Sequence, residues 1–510
     1  MGNEPAELKG PDFQQGVSSG DVVEGKSLLG HAGGEAVLVS RVGDRCYAVA
    51  ATCTHYSGPL AEGLVVDGRV HCPWHHACFS LRTGESLRPP ALNDLACWRV
   101  EEREGRVIVR EKLEQPESSS RRLPLRRTPQ SVTIVGAGAA GESAVETLRR
   151  EGYDGPITMF DPVPTEPIDR PNLSKDYLAG TAQPEWMPLR GPEWFADHDV
   201  EIVRRDVRAL DVGARRLTLA DGKERAFDAL ILATGAEPIR LNLPGSGPRV
   251  MYLRTLADSD AIIDAATKGA RRVVVLGASF IGLEVAASLR ARGLEVHVAA
   301  PEARPLERVL GPTLGDAVRS LHEEKGVAFH LGRLAKSLEQ GRIVLDDFSR
   351  LDADFIVAGV GVRARTQLAE AAGLRVDKGV VVNERLETSA PGILAAGDIA
   401  RWPDPHTGQS IRVEHWVVAQ RQGQTAARNA LGAGERFDAV PFFWSAHYDV
   451  TINYVGHAEK WDRTVVDGDP ASRDCTVKYI AGGAELAVAT IFRDRESLEA
   501  ELRMERAANR

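Results

Sequence analysis

At 510 residues the chain exceeds what one hydrophobic core usually supports, so several domains are expected. Hydrophobic residues make up 43% and charged residues 26%, an ordinary balance for a water-soluble protein, and a net charge of −9 argues against nucleic-acid binding. No apolar run approaches membrane-spanning length, no basic-then-apolar signal pattern opens the chain, and six cysteines are too few for a disulfide framework. A cytoplasmic protein with reduced thiols and no membrane association is the expectation.

Up to about Lys112 the chain reads as short alternating segments between turn residues, such as Glu35–Ser40 and Arg106–Val109. This predicts an antiparallel β domain over residues 1–113. Within it lie Cys53-Thr54-His55 and, sixteen residues on, Cys72-Pro73-Trp74-His75. Two Cys and two His in alternating pairs are the ligand set of a Rieske [2Fe–2S] centre, in which thiolates hold one iron and imidazoles the other. The same residue types suit zinc, although a single residue between Cys53 and His55 departs from zinc-finger spacing. Cys72-Pro73-Trp74-His75 resembles the second ligand box of Rieske proteins. His76, beside a ligand, reads as a solvated neighbour, because two imidazoles are already supplied. Residues 114–130 then turn polar, with Pro, Ser and an Arg cluster at 121–127, as linkers do.

Beyond the linker the pattern becomes βαβ. Val132–Val135 is a buried-strand run leading into Gly136-x-Gly138-x-x-Gly141 and a helical stretch to Arg150. The first glycine makes the tight turn, the second admits a pyrophosphate, and the third lets helix and strand pack closely. A second strand, Ile157–Phe160, ends at Asp161, an acid placed to reach a ribose hydroxyl. The fingerprint recurs as Arg272–Leu276 followed by Gly277-x-Ser279-x-x-Gly282 and a helix to about Arg292. Ser279 replaces the middle glycine, so pyrophosphate approach there is looser or assisted by the hydroxyl. After the next strand comes Ala300, where an NAD-selecting acid often sits. Glu302 and Arg304 follow, leaving NADH slightly favoured over NADPH. Two such units imply two dinucleotides.

Further segments carry a family resemblance. Phe227–Ala236, with Thr234-Gly235, resembles the stretch that returns the chain from an FAD domain to an NAD(P) domain, and Gly359-x-Gly361 resembles its counterpart. Thr388–Asp398 resembles the late FAD motif, in which Gly397-Asp398 presents a carboxylate to the ribityl chain. Together these resemble the pyridine-nucleotide–disulfide reductase fold, with the FAD domain split around the NAD(P) domain. The Cys pair of disulfide reductases is missing. Instead Asp169-Arg170-Pro171-Asn172-Leu173-Ser174-Lys175, Glu414-His415-Trp416 and Pro441–Ser445 resemble ferredoxin reductases and apoptosis-inducing-factor-like flavoproteins, and with the N-terminal domain the chain resembles their Rieske-containing branch.

The implied fold is multidomain: an antiparallel β Rieske domain, two α/β Rossmann-like domains and a small α+β C-terminal domain. The boundaries expected are 131–250 and 371–436 for the two parts of the FAD domain, 251–370 for the NAD(P) domain and 437–510 for the C-terminal domain. The implied activity is that of an NAD(P)H-dependent FAD reductase passing electrons through its own [2Fe–2S] cluster to a redox partner (an oxygenase, ferredoxin or cytochrome), as a monomer or homodimer. Two other readings stay open: a reductase of a separate ferredoxin, and an NADH-driven redox-sensing signalling protein. The resemblance places Lys175 and Glu284 at the flavin as an ion pair, with Arg170, Trp416 and Trp444 near the cofactor; each Trp, and His415, also reads as simple core. It also implies a low-potential cluster. High-potential Rieske proteins carry a shielding Cys pair where this chain has Gly58 and Trp74. They place hydroxyl donors where it has Ala77 and Phe79.

Overall fold

The computed structural model describes residues 8–114 and 126–508, so most of the expected linker and residues 121–125 of its Arg cluster lie outside the described residues. The chain divides into two compact units: residues 1–124 with 493–510, and residues 125–492.

The first unit is antiparallel β. A six-stranded sheet runs in the order Val17–Ser18, Arg106–Lys112, Cys97–Arg103, Arg45–Ala50, Glu35–Val42, Ser27–Ala32. Its period of two sends side chains to alternate faces. Along Glu35–Val42, Leu38 enters one apolar cluster with Val49, Leu60 and Phe79, while Val37 and Val39 enter another with Phe13, Trp98 and Val107. The smaller sheet orders Leu64–Val66, Arg69–His71, Cys78–Ser80 and Ser86–Arg88. The final helix, Asp494–Ala508, belongs to this unit and buries Leu498, Ala500, Glu501 and Met504.

The second unit holds two five-stranded parallel sheets. The first runs Val200–Val203, Ile157–Phe160, Val132–Val135, Ala229–Leu232, Ile393–Ala395. Its central strand is buried on both faces, which is why it reads as an unbroken apolar run. The second runs Arg249–Met251, Phe355–Ala358, Arg272–Leu276, Glu295–Ala300, Val327–Leu331. All its strands lie between Ala229–Leu232 and Ile393–Ala395 in sequence, so the first sheet is completed by a strand from beyond the second. A third, antiparallel sheet orders Phe442–His447, Val450–Gly456, Ala484–Ile491, Asp474–Ala481 and Arg463–Asp469. No helix among the described residues is long and apolar enough to cross a membrane.

Candidate functional site

In the first unit the two ligand segments are tight loops. Cys53 N–H donates to Gly58 O at 2.9 Å and Ser57 N–H to Cys53 O at 3.0 Å; Cys72 N–H donates to Ala77 O at 2.8 Å and His76 N–H to Cys72 O at 3.2 Å. These bonds bring like with like. The Cys53 and Cys72 thiols share a hydrogen bond, which lowers Cys72 and raises Cys53. His55 Nδ1 lies 3.1 Å from His75 Nδ1. Burial holds His55 neutral, pushed down to about 3, the form in which imidazole binds a metal. Among the described residues no three of His, Cys, Asp and Glu gather closely enough to hold one ion. A zinc site would need such a gathering. A thiol pair and an imidazole pair fit a two-iron cluster with two protein ligands on each iron.

The loops are fitted to this arrangement. A Cβ on Gly58 would stand 2.7 Å from Cys72 Sγ, so no side chain fits there. Ala77 and Phe79 are fully buried and offer the cluster loops no hydroxyl. His76 departs from the solvated neighbour that adjacency suggested. Its side chain is 0% exposed and its Nδ1 meets Glu501 of the final helix at 2.7 Å, while its φ of 60° is left-handed. Arg88 Nη1 meets Glu505 of the same helix at 2.6 Å. Two contacts thus tie the 72–77 loop and the neighbouring strand Ser86–Arg88 to this helix, with no local sequence signal to announce them.

In the second unit a cavity of about 410 Å³ collects residues from both fingerprints. Gly136 (φ 110°) could not be alanine, because a Cβ would stand 2.1 Å from Ala233 O; a Cβ on Gly141 would meet Gly136 O at 1.9 Å. At Gly138 the first atom met would be the Arg170 guanidinium at 3.0 Å. Bare backbone therefore faces a cation across a gap, the arrangement a dinucleotide pyrophosphate requires. Burial and the neighbouring Arg254 lower Arg170 to about 10. A buried cation so placed calls for an anion. Gly397 and Asp398 reach the same cavity, where Asp398 Oδ2 meets Arg254 Nη2 at 3.1 Å. These features fit FAD.

Other expected residues are placed as follows. Asp161 lies at the end of its strand, its carboxylate accepting the Ala137 N–H at 2.7 Å and the Val163 N–H at 2.9 Å. Thr234 Oγ1 donates to Arg365 O at 2.8 Å, and Gly235 lines the cavity. Ser279 caps the second fingerprint helix. Its hydroxyl donates to Gly359 O at 2.8 Å and accepts the Gly282 N–H at 3.4 Å, which ties the Gly277–Gly282 turn to the adjoining strand end. Arg304 is answered by Asp316 at 2.9 Å and Glu307 at 3.4 Å. Trp416, Trp444 and His415 line the cavity wall; His415 Nδ1 is buried without a hydrogen bond, and burial pushes the ring down to about 3.

At the junction of the two fingerprints Lys175 Nζ meets Glu284 Oε2 at 2.8 Å, both lining the cavity. Ser174 Oγ donates to the same carboxylate oxygen at 2.5 Å and Ser445 Oγ to the other at 2.5 Å. Three donors, the adjacent Ser174 and Lys175 and, from strand Phe442–His447, Ser445, thus hold Glu284, which is 4% exposed. Sequence reasoning found the pair but not the hydroxyls, since a serine within a motif carries no mark of its partner.

Comparison with known proteins matches three family models: the Rieske [2Fe-2S] domain over 13–99, pyridine nucleotide-disulphide oxidoreductase over 130–423, and the reductase C-terminal domain over 442–509. The chain is 32% identical to human apoptosis-inducing factor 3 over 487 residues, 90% of this chain and 78% of that protein. It is 37% identical to the ferredoxin–NAD(+) reductase component of the anthranilate 1,2-dioxygenase system of Burkholderia cepacia, over 70% of this chain and 89% of the other. The putidaredoxin reductase in its covalent complex with putidaredoxin superposes with a TM-score of 0.71 at 34% identity, over 74% of this chain and 93% of that one. The family models imply FAD, NAD(P)H and a [2Fe–2S] cluster. The chain is an NAD(P)H-dependent flavoprotein oxidoreductase, and it belongs to the Rieske-containing pyridine nucleotide-disulphide oxidoreductases.

Proposed function

We propose that the protein passes electrons from NAD(P)H through FAD to its own Rieske cluster, and from there to a separate redox protein. The observation that carries this is the presence, in one chain, of a paired Cys/His ligand set and a reductase cavity built around Lys175 and Glu284. A bound flavin accepts an electron pair as hydride and gives electrons up singly, which suits a two-electron donor and a one-electron cluster.

The chain's residues supply positioning and charge. Gly136, Gly138 and Gly141 with Arg170 hold the FAD pyrophosphate; Asp161 faces the ribose end, Thr234 and Gly235 shape the turn beside it, and Gly397 and Asp398 face the ribityl chain. Gly277, Ser279 and Gly282 hold the pyridine dinucleotide. Residues 131–250 and 371–436 make up the FAD domain, 251–370 the NAD(P) domain and 437–510 the C-terminal domain, whose last helix is counted with the first compact unit. NADH is favoured, because Arg304 is already neutralised by Asp316 and Glu307 and so offers little to a 2′-phosphate. Lys175 places a fixed positive charge where electron density arrives, and Trp416 and Trp444 exclude water from that wall. Cys53, His55, Cys72 and His75 hold the cluster.

The dioxygenase-system reductase among its relatives supports an oxygenase component as the final acceptor, with a ferredoxin or cytochrome as alternatives. The four cysteines outside the cluster set, Cys46, Cys78, Cys97 and Cys475, none in a disulfide, support a cytoplasmic setting. A redox-sensing role is supported by the 90% coverage of the match to apoptosis-inducing factor 3. Mixing with NADH and a one-electron dye separates the two. Rapid sustained turnover supports the reductase; slow reduction with a persistent charge-transfer band overturns it in favour of the sensor.

A further inference from the structure

A line of buried hydrogen bonds runs outward from Glu284. Ser445 Oγ lies 2.5 Å from Glu284 Oε1 and 3.1 Å from His447 Nε2. His447 Nδ1 lies 3.2 Å from His322 Nε2, and His322 Nδ1 lies 3.4 Å from the Tyr448 hydroxyl. Ser445, His447 and His322 are 0% exposed, and Tyr448 is the half-buried end of the line. Helices Phe280–Ala291 and Glu307–Glu324 and the hairpin after Phe442 contribute the members, so no local motif produces the alignment.

The protons on this line can be assigned from the chemistry of its ends. Burial and the charge of Lys175 push His447 down to about 3, and burial beside His447 puts His322 well below the ordinary imidazole value. Both rings are therefore neutral near pH 7 and carry one N–H each. The Glu284 carboxylate can only accept, so Ser445 donates to it and must accept from His447 Nε2–H. His447 Nδ1 is then bare and accepts from His322 Nε2–H, whose own Nδ1 accepts from the Tyr448 hydroxyl. Every donor points towards Glu284.

We propose that Ser445, His447, His322 and Tyr448 form a proton relay between the protein surface and Glu284. This rests on the reading above that NAD(P)H is oxidised in the adjoining cavity. A hydride brings two electrons and one proton. The relay adds a second proton from water, so the cavity gains no net charge. At each link one bond breaks and one forms: Tyr448 O–H to His322 Nδ1, His322 Nε2–H to His447 Nδ1, His447 Nε2–H to Ser445, and Ser445 O–H to Glu284. Water then restores the Tyr448 proton. As the two electrons leave singly, two protons return along the line, its tautomers resetting between passages. The sum is one proton released for each NAD(P)H oxidised by two one-electron acceptors.

Two measurements on the intact holoenzyme test this. Nitrogen-15 NMR of the oxidised protein should show His322 and His447 neutral and protonated on Nε2; an Nδ1–H tautomer or a charged ring at either position overturns the relay whatever the cavity does. Anaerobic stopped-flow mixing with NADH in weak buffer, with a pH-indicator dye, should show wild-type proton uptake in step with flavin bleaching. His322→Phe should delay uptake at least tenfold behind bleaching, and Tyr448→Phe supplies the comparison if that variant does not fold. Uptake that stays in step in a folded, FAD-bound variant overturns the proposal. Failure of NADH to bleach wild-type flavin would instead refute the reading of the cavity, which the NMR result does not depend on.

Discussion

Replacing Lys175 with alanine strips its ammonium from the Glu284 carboxylate. At 2.8 Å the gross attraction is about 6 kcal/mol at an effective dielectric of about 20. Much of that is offset by desolvation, so the measurable quantity is the cost of stranding the remaining charge, which runs to about 3–5 kcal/mol for buried pairs. Glu284 is 4% exposed but keeps Ser174 and Ser445 as donors, each at 2.5 Å. The lower end, about 3 kcal/mol of stability lost, is therefore expected. Adding Glu284→Gln removes the stranded charge and should recover most of that loss, which a double-mutant cycle in denaturant measures. Kinetically the two variants should not compensate. Both lack the fixed cation, and NADH should bleach their flavin at least tenfold more slowly, equivalent to about 1.4 kcal/mol of barrier. FAD should remain bound, because Arg170 and the Gly136–Gly141 turn are untouched. A Lys175→Ala protein with wild-type stability and wild-type single-turnover bleaching would refute the assignment.

Cys72→Ser should abolish the Rieske signal while NADH still bleaches the flavin, and reduction of the physiological partner should stop; normal partner reduction would show that the cluster is not the exit. The cluster midpoint should lie near the bottom of the Rieske range, roughly −150 mV, because Ala77 and Phe79 donate nothing to its sulfurs, and a titrated value of about +200 mV or above would contradict this. Phe79→Tyr should raise the midpoint. Glu501→Ala leaves His76 buried without its carboxylate and should destabilise the first unit by about 1–3 kcal/mol, seen as cluster bleaching at lower temperature than wild type; an unchanged bleaching temperature would rule out the His76–Glu501 contact as an anchor.

The parts of this molecule legible in its sequence are those in which one short segment does the work. Gly141 must be glycine because Gly136 O of its own turn leaves no room for a side chain, and Gly136 takes a φ of 110° in that turn, so spacing reveals them. The ligand boxes are visible because metal chemistry restricts residue type. Ser279 is legible as a departure from pattern but not as a tie between turn and strand end, since Gly359, the acceptor of its hydroxyl, lies 80 residues away. The burial of His76 is not legible, because adjacency to Cys72 and His75 says nothing about Glu501, 425 residues further on. The relay was invisible for the same reason: His322 and His447 are 125 residues apart, and a lone buried histidine looks like core until its partner is in place. The lodging of Asp494–Ala508 in the first unit likewise involves the pairs His76–Glu501 and Arg88–Glu505, which no local pattern announces.

The central claim is that electrons reach the cluster from NADH by way of the flavin. Anaerobic single-turnover mixing of the oxidised protein with NADH, following flavin absorbance and quenching samples for the reduced-cluster paramagnetic signal, tests it most directly. The account predicts that flavin bleaching comes first and the cluster signal rises afterwards at a rate independent of protein concentration, as transfer within one chain requires. A cluster that stays oxidised beside fully reduced flavin would contradict it.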